Sequence, residues 1–285
     1  MKNLSSKKTI IIILMITILF LSLPIRPSLA NEYPFIKNAN FILKGSFSTY
    51  CANSSNERKH NISLAVKSID KTFIDDGATF SFNETVGERS EKRGYKSAKI
   101  IVGGKFADGV GGGVCQVSTT LYNAVILSGL TVVEHHAHSL PVSYVEPSFD
   151  AMVSYRFADL CFINDTGFPV YLRASFDGNK ISVNIFGAKN QYRIVRKSVI
   201  TEKIEVKTQT IYANDLTEYI DFDYGETILS YGKEGIKSEG YLLYYSGEKL
   251  IKTKKLRKDK YLSQDKIVVV KTLPEENLTE FEKVS

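Results

Sequence analysis

The chain is poor in the residues that staple or metallate a small fold. It holds three cysteines (Cys51, Cys115 and Cys161) and four histidines in 285 residues, with no C-x-x-C and no H-E-x-x-H spacing. This excludes a disulfide framework and offers no zinc motif, so no cofactor is expected. Three is an odd number for an exported protein and points to at least one free thiol. Either Cys51 pairs with Cys161, or both stay unpaired and buried in a chain long enough to build a core without staples. Internal repeats are absent. No apolar run reaches the roughly 18–20 residues of a comfortable membrane span.

A surplus of charge is lacking too. Residues 1–30 carry four of the 37 basic residues and no acid, which leaves 33 basic against 31 acidic residues in the remainder. Nothing there favours a nucleic acid partner. Those thirty residues read as a secretory signal: Lys2, Lys7 and Lys8, an apolar run over 9–23, then Ser28-Leu29-Ala30 before a cut. The segment is either cleaved after Ala30 or kept as an N-terminal membrane anchor, and both outcomes put residues from Asn31 onward outside the cytoplasm. The basic cluster at 252–258 reads as a lysine-rich strand edge.

The patterning predicts an α+β fold, with a Cys-bearing helix packed on antiparallel β-strands and a smaller β-rich C-terminal module. Residues 56–70 form a helix with Ile62, Ala65, Val66 and Ile69 on one stripe, capped by Ser55 or Asn56. Residues 99–102 and 105–108 flank Gly103-Gly104 as a hairpin, and a helix over 114–128 stops at Gly129. Strands follow at 130–138, 142–145, 152–157 and 160–163, then a hairpin around Asp177-Gly178-Asn179 and another around Ser246-Gly247. The domains run 1–30 (signal or anchor), 31–189 (catalytic), 190–273 (β-rich module) and 274–285 (frayed acidic tail).

The chemistry concentrates at Gly111-Gly112-Gly113-Val114-Cys115. A thiol in the first turn of a helix meets unpaired backbone N–H groups and the positive end of the helix dipole, both of which favour thiolate. Helical phasing puts Val117, Leu121, Ala124, Val125 and Ser128 on the core stripe and Cys115 opposite, with Ser118, Thr119 and Tyr122 on a mostly polar face that suits a cleft. A thiolate nucleophile needs a base. His135-His136-Ala137-His138 supplies candidates, and on a strand His136 and His138 share one face. Asp150 is the candidate orienting carboxylate. Gly112, Gly113, Gln116, Ser118, Thr119 and Tyr122 are the expected oxyanion and substrate contacts. The alternative use of the same residues is a zinc peptidase, with Cys115 or Asp150 completing the H-x-H pair.

These residues resemble a known family. Residues 56–61, 80–84, 93–95, 111–123, 136–144 and 150–155 are similar in order and spacing to the VanW-like family, over about residues 45–187. The resemblance places the family's cysteine on Cys115, its H-x-H pair on His136 and His138, and its aspartate on Asp150. His135 stands where relatives usually have arginine, and Cys51 and Cys161 are not family positions. The family takes its name from glycopeptide-resistance gene clusters, and some members are understood as peptidoglycan L,D-transpeptidases. The resemblance thus implies peptidoglycan tetrapeptide stems as donor and acceptor, a three-to-three cross-link as product, and a site on the cell wall or the outer face of the membrane. The competing expectations are a peptidase trimming stems and a non-catalytic wall-binding protein. Residues after 190 resemble, loosely, the small β-rich modules of bacterial surface proteins.

Overall fold

The computed structural model describes residues 41–212 and 225–271; the expected signal or anchor at 1–30 and the tail at 274–285 lie outside the described residues. From Ile42 onward the chain forms one compact unit, mostly of β-strands in several sheets. It opens with β1 (Ile42–Tyr50) and α1 (Asn56–Ile69), followed by β2 (Thr72–Ile74), β3 (Thr79–Ser81) and the short α2 (Phe82–Val86). The hairpin β4 (Ser97–Val102) and β5 (Lys105–Val110) leads into α3 (Val114–Leu127), which carries Cys115 as its second residue. Then come β6 (Thr131–Glu134), β7 (Cys161–Ile163), β8 (Val170–Phe176) and β9 (Lys180–Gly187). The last six strands are β10 (Arg193–Ile204), β11 (Thr208–Tyr212), β12 (Gly225–Ser230), β13 (Gly235–Ser246), β14 (Lys249–Tyr261) and β15 (Lys266–Lys271).

The sheets run β1-β9-β8-β2, β3-β7-β6, β10-β13-β14 and β11-β15-β12, and their pairings are antiparallel except β11 with β15. Helix α1 starts as its sequence dictates. Ser55 Oγ accepts from the Arg58 amide, and Ile62, Ala65, Val66 and Ile69 are buried. That stripe, the apolar side of α3, and Leu172, Ile181, Val183 and Ile185 from β8 and β9 make one core.

Two expectations need correction. The strand expected over 130–138 ends at Glu134, and 142–145 and 152–157 are not strands; only isolated bridges join His136 to Met152 and Ser154 to Ala158. Part of the backbone at 149–153 is instead satisfied by α3. Asn123 Nδ2 donates to Phe149 O (2.8 Å), Ser118 Oγ to Ala151 O (2.6 Å), and the Ala151 amide to Thr119 Oγ1 (2.9 Å). Those side chains do the work of a neighbouring strand. Second, α3 has no polar cleft face. Gln116, Ser118, Thr119 and Tyr122 are all buried, and within the helix only Cys115 and Leu127 reach intermediate exposure. Of the two alternatives for Cys51 and Cys161 the unpaired one holds: all three cysteines are free, with Cys51 buried and Cys161 only partly so.

The boundary expected near residue 190 falls in the connection from β9 to β10, and the later strands pack directly on what precedes them. Arg196 on β10 donates to Asn123 Oδ1 and lies over the rings of Phe47 (4.3 Å) and Phe149 (4.6 Å).

Candidate active site

Gly112 and Gly113 set the start of α3. Gly113 is the N-cap at φ 107°, a left-handed conformation that favours glycine. A Cβ at Gly112 would stand 2.7 Å from the Ala98 carbonyl oxygen of β4. Both glycines are buried against β4 and α1, so their missing side chains answer to packing. The amides of Gly113 and Cys115 donate to no acceptor among the described residues, as the first turn of a helix leaves them.

Cys115 projects from this turn toward the irregular segment. Its Sγ lies 3.4 Å from Val153 O and accepts from the Val153 amide at 3.5 Å. Beside it stands His138, with Nδ1 2.7 Å from Asp150 Oδ2; the same carboxylate oxygen accepts from the His138 amide at 2.7 Å. Asp150 is held on its other side by strand β14. Tyr261 Oη donates to Asp150 Oδ1 (2.6 Å), and Arg257 Nη1 donates to the Asp150 carbonyl (2.6 Å). Arg257 is itself fixed by a two-pronged pair with Asp259, both distances 2.8 Å.

Electrostatics follow from this chain of contacts. Burial alone would raise the Cys115 thiol, but the hydrogen bond and charge of His138, the Val153 backbone and the Arg89 charge bring it below its ordinary value. Burial alone would lower His138, yet its bonds to Asp150 and Cys115 raise it to about 9. Asp150 would likewise rise on burial and is held below the usual carboxylate range by His138 and then Arg257. Opposed shifts on a contacting thiol and imidazole favour a thiolate–imidazolium pair, the arrangement of a nucleophile, its base and an orienting carboxylate.

Among the four histidines, His138 alone joins this group. His136 pairs with Glu134 (Nε2 to Oε1, 2.9 Å) and is partly exposed. The strand alternation that would align it with His138 ends at Glu134. His135 stacks on Tyr122 with centroids 5.5 Å apart, and burial lowers it to about 4. His60 bonds the Gly94 carbonyl (2.9 Å). The other expected contacts are interior: Gln116 bridges Arg58, Thr49 and Tyr50, Ser118 and Thr119 hold Ala151, and Tyr122 is buried under Arg257. Among the described residues no group of three or more His, Cys, Asp or Glu side chains is arranged to hold a metal ion.

No motif near Asp150 points to Tyr261 and Arg257, which lie more than 100 positions from it. Alternation on β14 is the one available signal, because it places Arg257, Asp259 and Tyr261 on a common face. Tyr144 was missed as well. It stands near Cys115 and Thr119, and burial pushes its hydroxyl well up.

Residues 57–186 match the family model described as VanW like protein. Over 144 residues the chain is 44% identical to the uncharacterized protein YoaR of Bacillus subtilis (strain 168), covering 50% of this chain and 48% of that protein. Over 148 residues it is 29% identical to vancomycin B-type resistance protein VanW of Enterococcus faecalis (strain ATCC 700802 / V583), covering 49% of this chain and 54% of that protein. The chain thus spans about half the length of the curated relatives it matches. Two solved structures, HP0197-G5 and the IgA1 protease G5 domain, match 28% and 30% of the chain at 22% and 16% identity. Their TM-scores of 0.17 and 0.20 are too low to bear on the fold.

Proposed function

We propose that this protein is a cysteine acyltransferase of the bacterial cell wall, an L,D-transpeptidase that forms three-to-three peptidoglycan cross-links on the outer side of the membrane. The observation that carries this reading is the contact chain from Cys115 through His138 to Asp150. A wall substrate is supported by the likeness to a vancomycin resistance protein, and export by the order of charged, apolar and small residues at 1–30.

The steps balance without a cofactor. Cys115 Sγ attacks the carbonyl of the third residue of a tetrapeptide stem, and the thiol proton resides on His138. The unpaired amides at the start of α3 stabilise the developing oxyanion. The carbon–nitrogen bond breaks, His138 returns the proton to the leaving amine, and D-alanine departs. The side-chain amine of diaminopimelate on a second stem then attacks the thioester. It gives its proton to His138, and the thiol is regenerated.

A zinc peptidase would need His136 and His138 to converge on one ion. They are committed to different carboxylates, Glu134 and Asp150. The test is incubation of the purified protein with a disaccharide tetrapeptide. Cross-linked dimers and an acyl adduct on Cys115 are expected by mass spectrometry. Tripeptide without dimers assigns hydrolysis instead of transfer, and dimers made by Cys115→Ala overturn the mechanism.

A further inference from the structure

Arg89 lies in the loop after α2, and its aliphatic stem packs on the glycine turn that leads to Cys115: a Cβ at Gly111 would come within 2.8 Å of Arg89 Cβ. Its guanidinium carbon sits 5.8 Å from the centroid of the Tyr155 ring. Tyr155 follows by two residues the Val153 peptide that brackets the Cys115 sulfur. Arg89 is therefore held between the two segments that flank the thiol, and its charge is felt there.

The hydrogen-bond inventory of this side chain is incomplete. Nη1 donates to Asn83 Oδ1 (2.7 Å) and Gly87 O (2.9 Å), both neutral. Among the described residues, Nε and Nη2 have no acceptor and no carboxylate lies within salt-bridge distance. Arg173, Arg196 and Arg257, also withdrawn from water, each pair with a carboxylate, at 2.8 Å, 3.1 Å and 2.8 Å. A partly desolvated guanidinium with one whole edge uncommitted matches a planar two-oxygen anion.

We propose that Arg89 anchors a carboxylate of the donor peptide through its Nε/Nη2 edge and so fixes which carbonyl is presented to Cys115. This rests on the acyl-transfer reading above. A tetrapeptide stem offers two such carboxylates, the C-terminal one of the fourth residue and the side-chain one of diaminopimelate.

The test begins with a probe that needs no turnover. Alkylation of Cys115 by iodoacetate and by iodoacetamide is followed by mass spectrometry of its peptide, which separates it from Cys51 and Cys161. Replacing Arg89 with Met is expected to lower the iodoacetate-to-iodoacetamide rate ratio about tenfold; Arg89→Lys keeps part of the preference. An unchanged ratio in Arg89→Met overturns the proposal. The second measurement uses the wild type, so it does not depend on any variant folding. The acylation rate with the tetrapeptide is compared with those of its C-terminal amide and its diaminopimelate-amidated form. Loss of rate with one amide supports the anchor and names the carboxylate; equal rates for all three overturn it. Absence of acylation with any stem, together with the shifted alkylation ratio, rejects the acyl-transfer reading and leaves an anion site at Arg89.

Discussion

The Tyr261 hydroxyl donates to Oδ1 of Asp150 at 2.6 Å across 111 positions of sequence. The same hydroxyl accepts from the Ser148 amide at 2.7 Å, and the Leu262 amide donates to Ser139 O at 2.7 Å, one residue beyond His138. The end of β14 thus clamps both members of the His138–Asp150 pair. Residues 57–186 contain the thiol, imidazole and carboxylate, yet Asp150 is also held, at its carboxylate by Tyr261 and at its backbone carbonyl by Arg257, from outside that stretch.

Tyr261→Phe removes one donor from a buried carboxylate and one acceptor from a buried amide. A loss of about 1–3 kcal/mol in stability is expected for groups left unsatisfied in this way. Asp150 then holds the His138 cation less firmly, and Cys115 acylation slows about tenfold. Denaturant melts and single-turnover acylation measure the two effects. An unaltered acylation rate would show that β14 supports the fold alone.

The pH dependence of Cys115 follows from the directions of two shifts. The thiol is lowered and His138 is raised to about 9, so the ion pair persists through neutral pH. Alkylation by iodoacetamide is expected to reach half its maximum below the ordinary thiol value of about 8.5. In His138→Ala burial acts with less opposition, so the midpoint moves up and the rate at pH 7 falls at least about tenfold. Above about pH 9 His138 loses its proton: turnover declines because the leaving amine is no longer protonated, while alkylation stays high. A wild-type midpoint above 8.5 would contradict the pairing.

The two histidines of the H-x-H pair should part company in turnover. His138→Ala is expected to cost about 10²–10⁴-fold, the range for losing a positioned acid–base group. His136 contacts Glu134 at a partly exposed position, so His136→Ala leaves the rate within a few-fold. Chelator treatment of the wild type should leave activity intact. Equal losses from the two alanine variants, or sensitivity to the chelator, would favour shared metal ligation.

The legible parts were those set by local rules. Residue spacing and the Ser55 cap specify α1; Gly103-Gly104 and Asp177-Gly178-Asn179 specify hairpins; three glycines and a cysteine mark the start of α3. Two features misled. The alternating apolar residues of 130–138 suggest a strand, but segment 149–153 finds its hydrogen bonds on the α3 side chains, so the strand ends early and His136 parts from His138. Polar residues on α3 suggest a cleft because periodicity distinguishes polar from apolar positions, not exposed ones from buried ones already hydrogen-bonded. Contacts from β14 follow from tertiary packing, which no local pattern contains.

Thr119→Val tests that account of α3. Thr119 and Asp150 are both buried, and Thr119 Oγ1 accepts from the Ala151 amide at 2.9 Å, next in sequence to Asp150. Valine keeps the branched shape and removes the acceptor, leaving a buried amide unpaired at a cost of about 1–3 kcal/mol. If Ser118 and Thr119 lined a substrate cleft, the variant would weaken substrate binding with stability unchanged. As a rack for 149–153, Thr119 should instead lower the thermal midpoint and reduce the acylation rate constant, with substrate affinity unaffected. Thermal unfolding and a concentration series of tetrapeptide in single-turnover acylation separate the two outcomes.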